Sequence, residues 1–177
     1  MSINLNVPEQ SDTQQLKPKL TVIGVGGAGG NAINRMVASG MYGVEFISVN
    51  TDNQDLEMSA ADVTLCIGES ITRGLGAGAK PEIARQAVEE DRDRVAEHLT
   101  DTDLVFITAG MGGGTGTGVA PVVAGIARDC GALTVGVVTK PFLFEGKTRL
   151  AQAEGGLREL KETCDTVITI PNQRLMN

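Results

Sequence analysis

The segment KLTVIGVGGAGGNAINRMVASG, residues 19–40, determines the predicted fold because its character changes twice along its length. Its first part, KLTVIGV (19–25), is a β-branched apolar run that ends at glycines, which is typical of a strand buried on both faces. Its last part, GNAINRMVASG (30–40), places apolar residues at helical spacing and ends in a glycine. The segment therefore predicts a strand, a glycine turn and a helix in succession.

The same unit recurs along the chain. Further strands are predicted at 44–50, 62–68, 103–110, 132–139 and 165–171, and helical patterns lie between them at 53–59, 81–99, 115–129 and 145–164. This alternation predicts an α/β fold, a Rossmann-like three-layer domain whose mainly parallel six-stranded sheet has the order 3-2-1-4-5-6. We assign this domain to residues 19–177 and interpret the polar residues 1–18 as a flexible N-terminal tail.

Composition excludes several classes of partner. Fifteen basic and 22 acidic residues give a net charge of −7 without a basic run, so we expect no nucleic-acid binding. The three cysteines, Cys66, Cys130 and Cys164, form no Cys-x-x-Cys pair and are interpreted as reduced, mostly buried thiols. No apolar run approaches the ~20 residues that a membrane helix needs, so we expect a cytoplasmic protein without direct membrane insertion.

The first glycine loop, GVGGAGGNA (24–32), carries the spacing Gly24-x-Gly26-x-x-Gly29 between a strand and a helix. This spacing suits close approach of a phosphate to backbone N–H groups at a helix N-terminus. A nicotinamide-binding oxidoreductase is one alternative, but its fingerprint requires an acidic residue at the end of the second strand. Here that strand ends in Asn50, and the acid, Asp52, comes late.

The second glycine loop, GMGGGTGTG (110–118), follows the fourth strand. In a 3-2-1-4-5-6 sheet this strand neighbours the first, so both loops are expected to face one crevice. Backbone amides from both loops can surround an oligophosphate, with Thr115 and Thr117 as hydroxyl donors beside it. A tight turn for helix–sheet packing is the alternative, although one or two glycines would suffice for that. The later PFLFEGKT (141–148) is not a phosphate loop, because Pro141 replaces its first glycine.

Several segments together resemble one family. GGGTGTG (112–118) resembles the signature of the tubulin/FtsZ GTPase superfamily. Five further segments of the chain resemble the successive nucleotide-site loops of the FtsZ branch: GVGGAGGNA, NTDNQDL (50–56), GLGAGAKP (74–81), TKPFLFEG (139–146) and TIPNQRL (169–175). The resemblance extends from about residue 19 to the end of the chain. It implies the GTP-binding domain of a cell-division GTPase that assembles head to tail into filaments and forms the division ring at midcell.

The resemblance also implies a set of nucleotide-binding residues. Contacts to phosphates and nucleoside would come from Gly26, Gly27, Ala28, Gly29, Gly30 and Asn31, and contacts near the γ-phosphate from Ala77 and Gly78. The phosphates would be wrapped by Gly112, Gly113, Gly114, Thr115, Gly116, Thr117 and Gly118. The remaining contacts, to the ribose, the base and neighbouring groups, would come from Thr139, Pro141, Glu145, Arg149 and Asn172.

Four of these residues have simpler explanations. Glu145 and Arg149, spaced i to i+4 on a helix, could form only a surface ion pair worth ~0.3–0.5 kcal/mol. Asn172 could be only a turn or cap residue, and Asn31 only a residue in the first turn of a helix. The next residue, Gln173, departs from the aspartate of many relatives, which affects the expected contacts to the base.

For catalysis, the resemblance places the water-activating Asn-x-Asp-x-x-Asp loop later in the family's sequence, where it acts on the nucleotide of the adjacent subunit. We therefore expect no catalytic residue in this chain, and the family's central helix and C-terminal domain to be absent from it. The chain is expected to bind GTP or GDP, with Mg²⁺ held through the phosphates, and to hydrolyse GTP hardly at all alone. Expected partners are other copies in a filament and other division proteins. A non-enzymatic fragment that caps filament ends is a further alternative.

Overall fold

The computed structural model describes residues 17–172, so most of the predicted tail (1–18) and Gln173 lie outside the described residues. The strands are β1 (Leu20–Val25), β2 (Glu45–Asn50), β3 (Val63–Cys66), β4 (Leu104–Gly110), β5 (Leu133–Lys140) and β6 (Thr166–Pro171). The helices are α1 (Gly26–Ala38), α2 (Asn53–Glu57), α3 (Glu69–Thr72), α4 (Pro81–Glu90), α5 (Arg92–Glu97), α6 (Thr115–Asp129) and α7 (Lys147–Thr163). A 3₁₀ turn at Leu143–Glu145 precedes α7.

The six strands form one sheet in the order β3-β2-β1-β4-β5-β6, and every pairing is parallel. This confirms the predicted fold class and strand order. Strand β1 lies at the centre, where Val25 aligns with Val49 of β2 on one side and with Ala109 of β4 on the other. The carboxyl ends of these three strands therefore meet at one edge, where the strand order reverses.

Two apolar clusters cover the two faces of the sheet. On one face, Ile23 and Ile107 are fully buried against the cluster that includes Val119 of α6. On the other face, Val22 and Phe46 pack with Ile33, a fully buried residue of α1. Burial of one such side chain stabilises the fold by roughly 1.5–3 kcal/mol, so both helix layers are firmly attached to the sheet.

The helical pattern at 81–99, predicted as one helix, is divided in the structure into α4 and α5. The break lies at Asp91, whose backbone angles are φ −104° and ψ 19°. The Asp91 carboxylate accepts hydrogen bonds from the Gly68 N–H (2.7 Å) and from Arg94 (2.9 Å). A side chain that bonds to a distant backbone group competes with helix continuation. The prediction of one continuous helix was therefore wrong at this residue.

The three cysteines are all free thiols, as expected. Cys164 is buried, and this burial raises the pKa of its thiol to about 11. Cys66 and Cys130 are half-buried. Burial also raises the pKa of Cys66, with a further contribution from the nearby Glu69 carboxylate. These thiols therefore have the character of packing residues rather than of reactive nucleophiles.

Candidate functional site

The first glycine loop leads directly from β1 into α1, which begins at Gly26, earlier than its helical pattern predicted. Gly26 has φ +71°, a conformation that glycine adopts without strain. Within residues 17–172, no side chain caps the first turn of α1 and no acidic residue lies in it. Its backbone N–H groups and the positive end of the helix dipole are therefore open to an anion.

The second glycine loop repeats this arrangement between β4 and α6. The first turn of α6, which begins at Thr115, likewise has neither a side-chain cap nor an acidic residue from the described part of the chain. The two loops are in contact, since a methyl group built on Gly26 would stand 3.1 Å from the backbone nitrogen of Gly116. The structure thus brings the N-termini of two helices to one point, as the strand order predicted.

An open cavity of about 360 Å³ lies at this point, within the range of ligand pockets in general. Twelve of the predicted site residues line it: Gly26, Gly27, Ala28, Gly113, Gly114, Thr115, Gly116, Thr139, Pro141, Glu145, Arg149 and Asn172. Five of the twelve are glycines, which contribute only backbone. The surface that they form is suited to a ligand recognised through main-chain N–H groups.

One wall of the cavity comes from the segment after β2, whose individual residues sequence reasoning missed. Asn50, Asp52 and Asp55 line the cavity. The Asn50 side chain accepts from the Thr51 N–H (2.8 Å) and donates to the Asp55 carboxylate (2.9 Å). Thr51 and Thr115 share a hydroxyl hydrogen bond of 2.8 Å, which ties this segment to the second glycine loop. Their position just after a strand beside the switch point was the signal that could have found them.

The opposite wall is formed by the segment that joins β5 to α7. Glu145 and Arg149 form an ion pair of 3.4 Å, the contact that their spacing predicted, and both also line the cavity. The pair does not lie on one α-helix, because Glu145 belongs to the 3₁₀ turn and Arg149 to α7. The Arg149 side chain is about half exposed, so its guanidinium remains accessible to a ligand.

The other predicted site residues lie next to this cavity rather than along its surface. Gly30 and Asn31 line a smaller adjoining space of about 100 Å³. Gly29 packs on β4, where a methyl group would stand 2.5 Å from the Thr108 carbonyl oxygen. Ala77 is buried and Gly78 is exposed, while their neighbour Gly76 reaches the cavity. The remaining three, on the second glycine loop, are not among the lining residues: Gly112, Thr117 and Gly118. Of these, Thr117 and Gly118 border a separate cleft between α4 and α7.

The charges around the cavity are mixed. The ionisable side chains among its lining residues are Asp52, Asp55, Glu145 and Arg149. Three carboxylates against one guanidinium disfavour a bare anion. A negatively charged ligand would therefore depend on the backbone amides and helix dipoles for binding and on a cation to neutralise part of its charge. Within the described chain, no group of three or more His, Cys, Asp or Glu side chains is arranged to bind a metal ion unaided. In the same residues, 17–172, no helix has the length and apolar character required to cross a membrane.

Comparisons with known proteins place this geometry in a family. Residues 19–177 match the model of the tubulin/FtsZ family, GTPase domain. A cell division protein FtsZ from Bartonella bacilliformis is 56% identical over 175 residues, which cover 99% of this chain and 29% of that protein. The chain therefore spans less than a third of the length of this relative.

Solved structures show the same relationship. An empty FtsZ dimer from M. jannaschii superposes with a TM-score of 0.89 at 50% identity, covering 92% of this chain and 48% of that one. A GTPγS-bound protofilament of CetZ2 from Haloferax volcanii gives a TM-score of 0.80 at 28% identity, covering 88% and 49%. The predicted resemblance is thereby confirmed: the chain belongs to the tubulin/FtsZ family, and residues 19–177 correspond to its GTPase domain.

Proposed function

We propose that this chain binds GTP and GDP in the cavity at the carboxyl edge of the sheet. One observation carries the proposal: the glycine loops that begin α1 and α6 are in contact, and both uncapped helix N-termini border one cavity. Such helix ends bind phosphate through backbone N–H groups and the helix dipole. Membership of a GTPase family supports guanine as the base. The nicotinamide alternative has no comparable support, because no acidic residue ends β2.

The residues of the cavity suggest a division of roles. We assign the phosphates to the amides of the two glycine loops, with the Thr115 hydroxyl beside them. Glu145 and Arg149 would contact the ribose and neighbouring groups, and Asn172 would lie at the base. Asn31, in the adjoining space, would reach the nucleoside. Ala77 and Gly78 would approach the γ-phosphate only if the segment around Gly76 closes on the ligand.

Magnesium fits this site as an ion held mainly by the nucleotide. Asp52 and Asp55 line the cavity and provide carboxylate oxygens, which Mg²⁺ prefers, and a methyl group on Gly27 would stand 3.1 Å from the Asp55 carboxylate. Because the described residues contain no three-ligand cluster, phosphate oxygens and water would complete the coordination shell. The ion would neutralise phosphate charge beside these carboxylates. Asn50 would hold Asp55 in place through its hydrogen bond.

In the whole protein, we propose a GTPase that polymerises head to tail into filaments of the bacterial division ring, in the cytoplasm at midcell. The matches to an FtsZ dimer and to a CetZ2 protofilament support self-association. Hydrolysis would be completed by a loop of the adjacent subunit, so this chain alone would bind GTP with little turnover. Other division proteins would be further partners.

Phosphate release from GTP and Mg²⁺ tests the catalytic part of this proposal. The 177-residue chain alone is expected to stay close to the background rate. Release should rise when an assembly-competent full-length relative with no turnover of its own is added, because the adjacent subunit then supplies the proposed catalytic loop. Substantial turnover by the chain alone would contradict catalysis between subunits, while the binding site itself would stand.

A further inference from the structure

Thr117 lies beneath the second glycine loop, away from the cavity surface. Its side chain is only 4% exposed, and it is absent from the cavity lining that contains Thr115 and Gly116. The Thr117 hydroxyl accepts a hydrogen bond of 2.9 Å from the Gly112 N–H. This bond spans the turn, from the first helical positions of α6 back to the start of the loop.

Gly112 is the point at which the loop changes direction. Its φ of +110° is one that glycine adopts and other residues rarely do. A methyl group there would stand 3.1 Å from the Arg149 carbonyl oxygen and 3.2 Å from a ring carbon of Pro141. Gly112 is thus fixed on one side by the Thr117 hydroxyl and on the other by Pro141 and Arg149. The next residues, Gly113 and Gly114, line the cavity and present the amides proposed to bind phosphate.

Helix α7 packs against Thr117 through Gly156. A methyl group on Gly156 would stand 2.5 Å from the Thr117 methyl carbon and 3.1 Å from its carbonyl oxygen. Contacts this close require either the Thr117 side chain or one of the two helices to shift. The preceding residue, Gly155, has no atom within 4 Å of the same position, although both glycines border a surface cleft between α4 and α7. Of these two consecutive glycines, only Gly156 is required by packing.

We propose that Thr117 is a positioning residue of the phosphate site and not a phosphate ligand, and that Gly156 of α7 sets its place. The chain of contacts runs from Gly156 to Thr117 by packing, then from the Thr117 hydroxyl to the Gly112 amide, and so to the amides of Gly113 and Gly114. The inference rests on the proposed nucleotide site. It adds that a residue of α7 remote from the cavity controls the geometry of the loop.

Amide hydrogen exchange of Gly112 in the nucleotide-free chain tests the first contact without any ligand. In Thr117→Val the shape is kept and the acceptor is lost, so Gly112 exchange should accelerate about tenfold or more. Thr117→Ser keeps the hydroxyl and should retain wild-type exchange at Gly112. GTP affinity should follow the same order, weakened about tenfold in Thr117→Val and restored in Thr117→Ser. Equal exchange in the wild type and Thr117→Val would overturn the role of the hydroxyl.

Two adjacent alanine substitutions test the second contact. Gly156→Ala should weaken GTP binding about tenfold by displacing Thr117, whereas Gly155→Ala should leave affinity unchanged. Circular dichroism confirms that both variants are folded. Equal affinities of folded Gly156→Ala and Gly155→Ala would overturn the role of Gly156. If the wild type binds no GTP, the proposed function fails, but the exchange of Gly112 still decides the role of Thr117.

Discussion

At the scale of single residues, the two threonines of the second glycine loop have different surroundings, although the sequence motif treats them alike. Thr115 lines the cavity and pairs with Thr51, while Thr117 is turned inward toward Gly112. The sequence predicted both as hydroxyl donors to phosphate, because their spacing alone does not reveal where the helix begins. That start, at Thr115, decides which side chain faces the ligand and which faces the core. Asp52 and Asp55 were missed for a related reason, since the hydrogen bonds of the Asn50 side chain to the Asp52 N–H and to the Asp55 carboxylate are not apparent from the sequence.

Gly113 offers a direct test of the cavity at this scale. Its missing side chain borders the cavity, and a methyl group there would meet only the Arg149 side chain at an ordinary distance of 3.9 Å. Gly113→Ala should therefore keep the fold but weaken GTP binding, by about tenfold if one phosphate contact is lost. Gly125→Ala is the matched control on α6, since its methyl would meet only Thr163 at 3.8 Å. Titration with GTP compares the two; equal, undiminished affinities would remove Gly113 from the site.

At the scale of elements, α1 is held against the sheet by glycines of the first loop. A methyl group on Gly29 would meet the Thr108 carbonyl oxygen, and one on Gly24 would lie 2.6 Å from the Ile33 side chain. These glycines let the helix approach β1 and β4 closely. The close approach orients the N-terminus of α1 toward the cavity.

Two neighbouring substitutions on α1 measure this contact. Gly29→Ala is expected to lower the free energy of unfolding by about 1–3 kcal/mol, because the helix must move away from β4. Gly30→Ala has no neighbour within 4 Å and should raise it by about 0.5–1 kcal/mol through helix propensity. Urea denaturation without nucleotide compares both variants with the wild type. A Gly29→Ala variant as stable as Gly30→Ala would mean that α1 does not require this close approach.

Most element types were predictable because each strand is a short apolar run bounded by glycine or polar residues. The structure differs where a contact distant in sequence intervenes. Asp91 separates α4 from α5 by accepting a hydrogen bond from the Gly68 N–H, and this bond cannot be predicted from helical periodicity. The four-residue helix α3 was not predicted either; it lies between two residues in the left-handed conformation, Gly68 and Arg73, and is too short to establish a period.

At the scale of the whole molecule, the parallel order 3-2-1-4-5-6 was predictable because short right-handed crossovers leave few alternatives once strands and helices alternate. That order alone brings the ends of β1, β2 and β4 together, so the place of the cavity followed from the sequence. The residues that line the cavity could not all be predicted from the sequence, because their positions depend on side-chain hydrogen bonds between loops, such as that of Thr51 with Thr115.

Calorimetric titration of the 177-residue chain with GTP, GDP and NADH decides whether the cavity binds guanine nucleotides. We expect saturable binding of GTP and GDP at one site in the presence of Mg²⁺, and no binding of NADH at the same concentrations. Competition between GTP and GDP should show that both occupy the same cavity. Saturable binding of NADH, with no binding of either guanine nucleotide, would show that the cavity is not a guanine-nucleotide site.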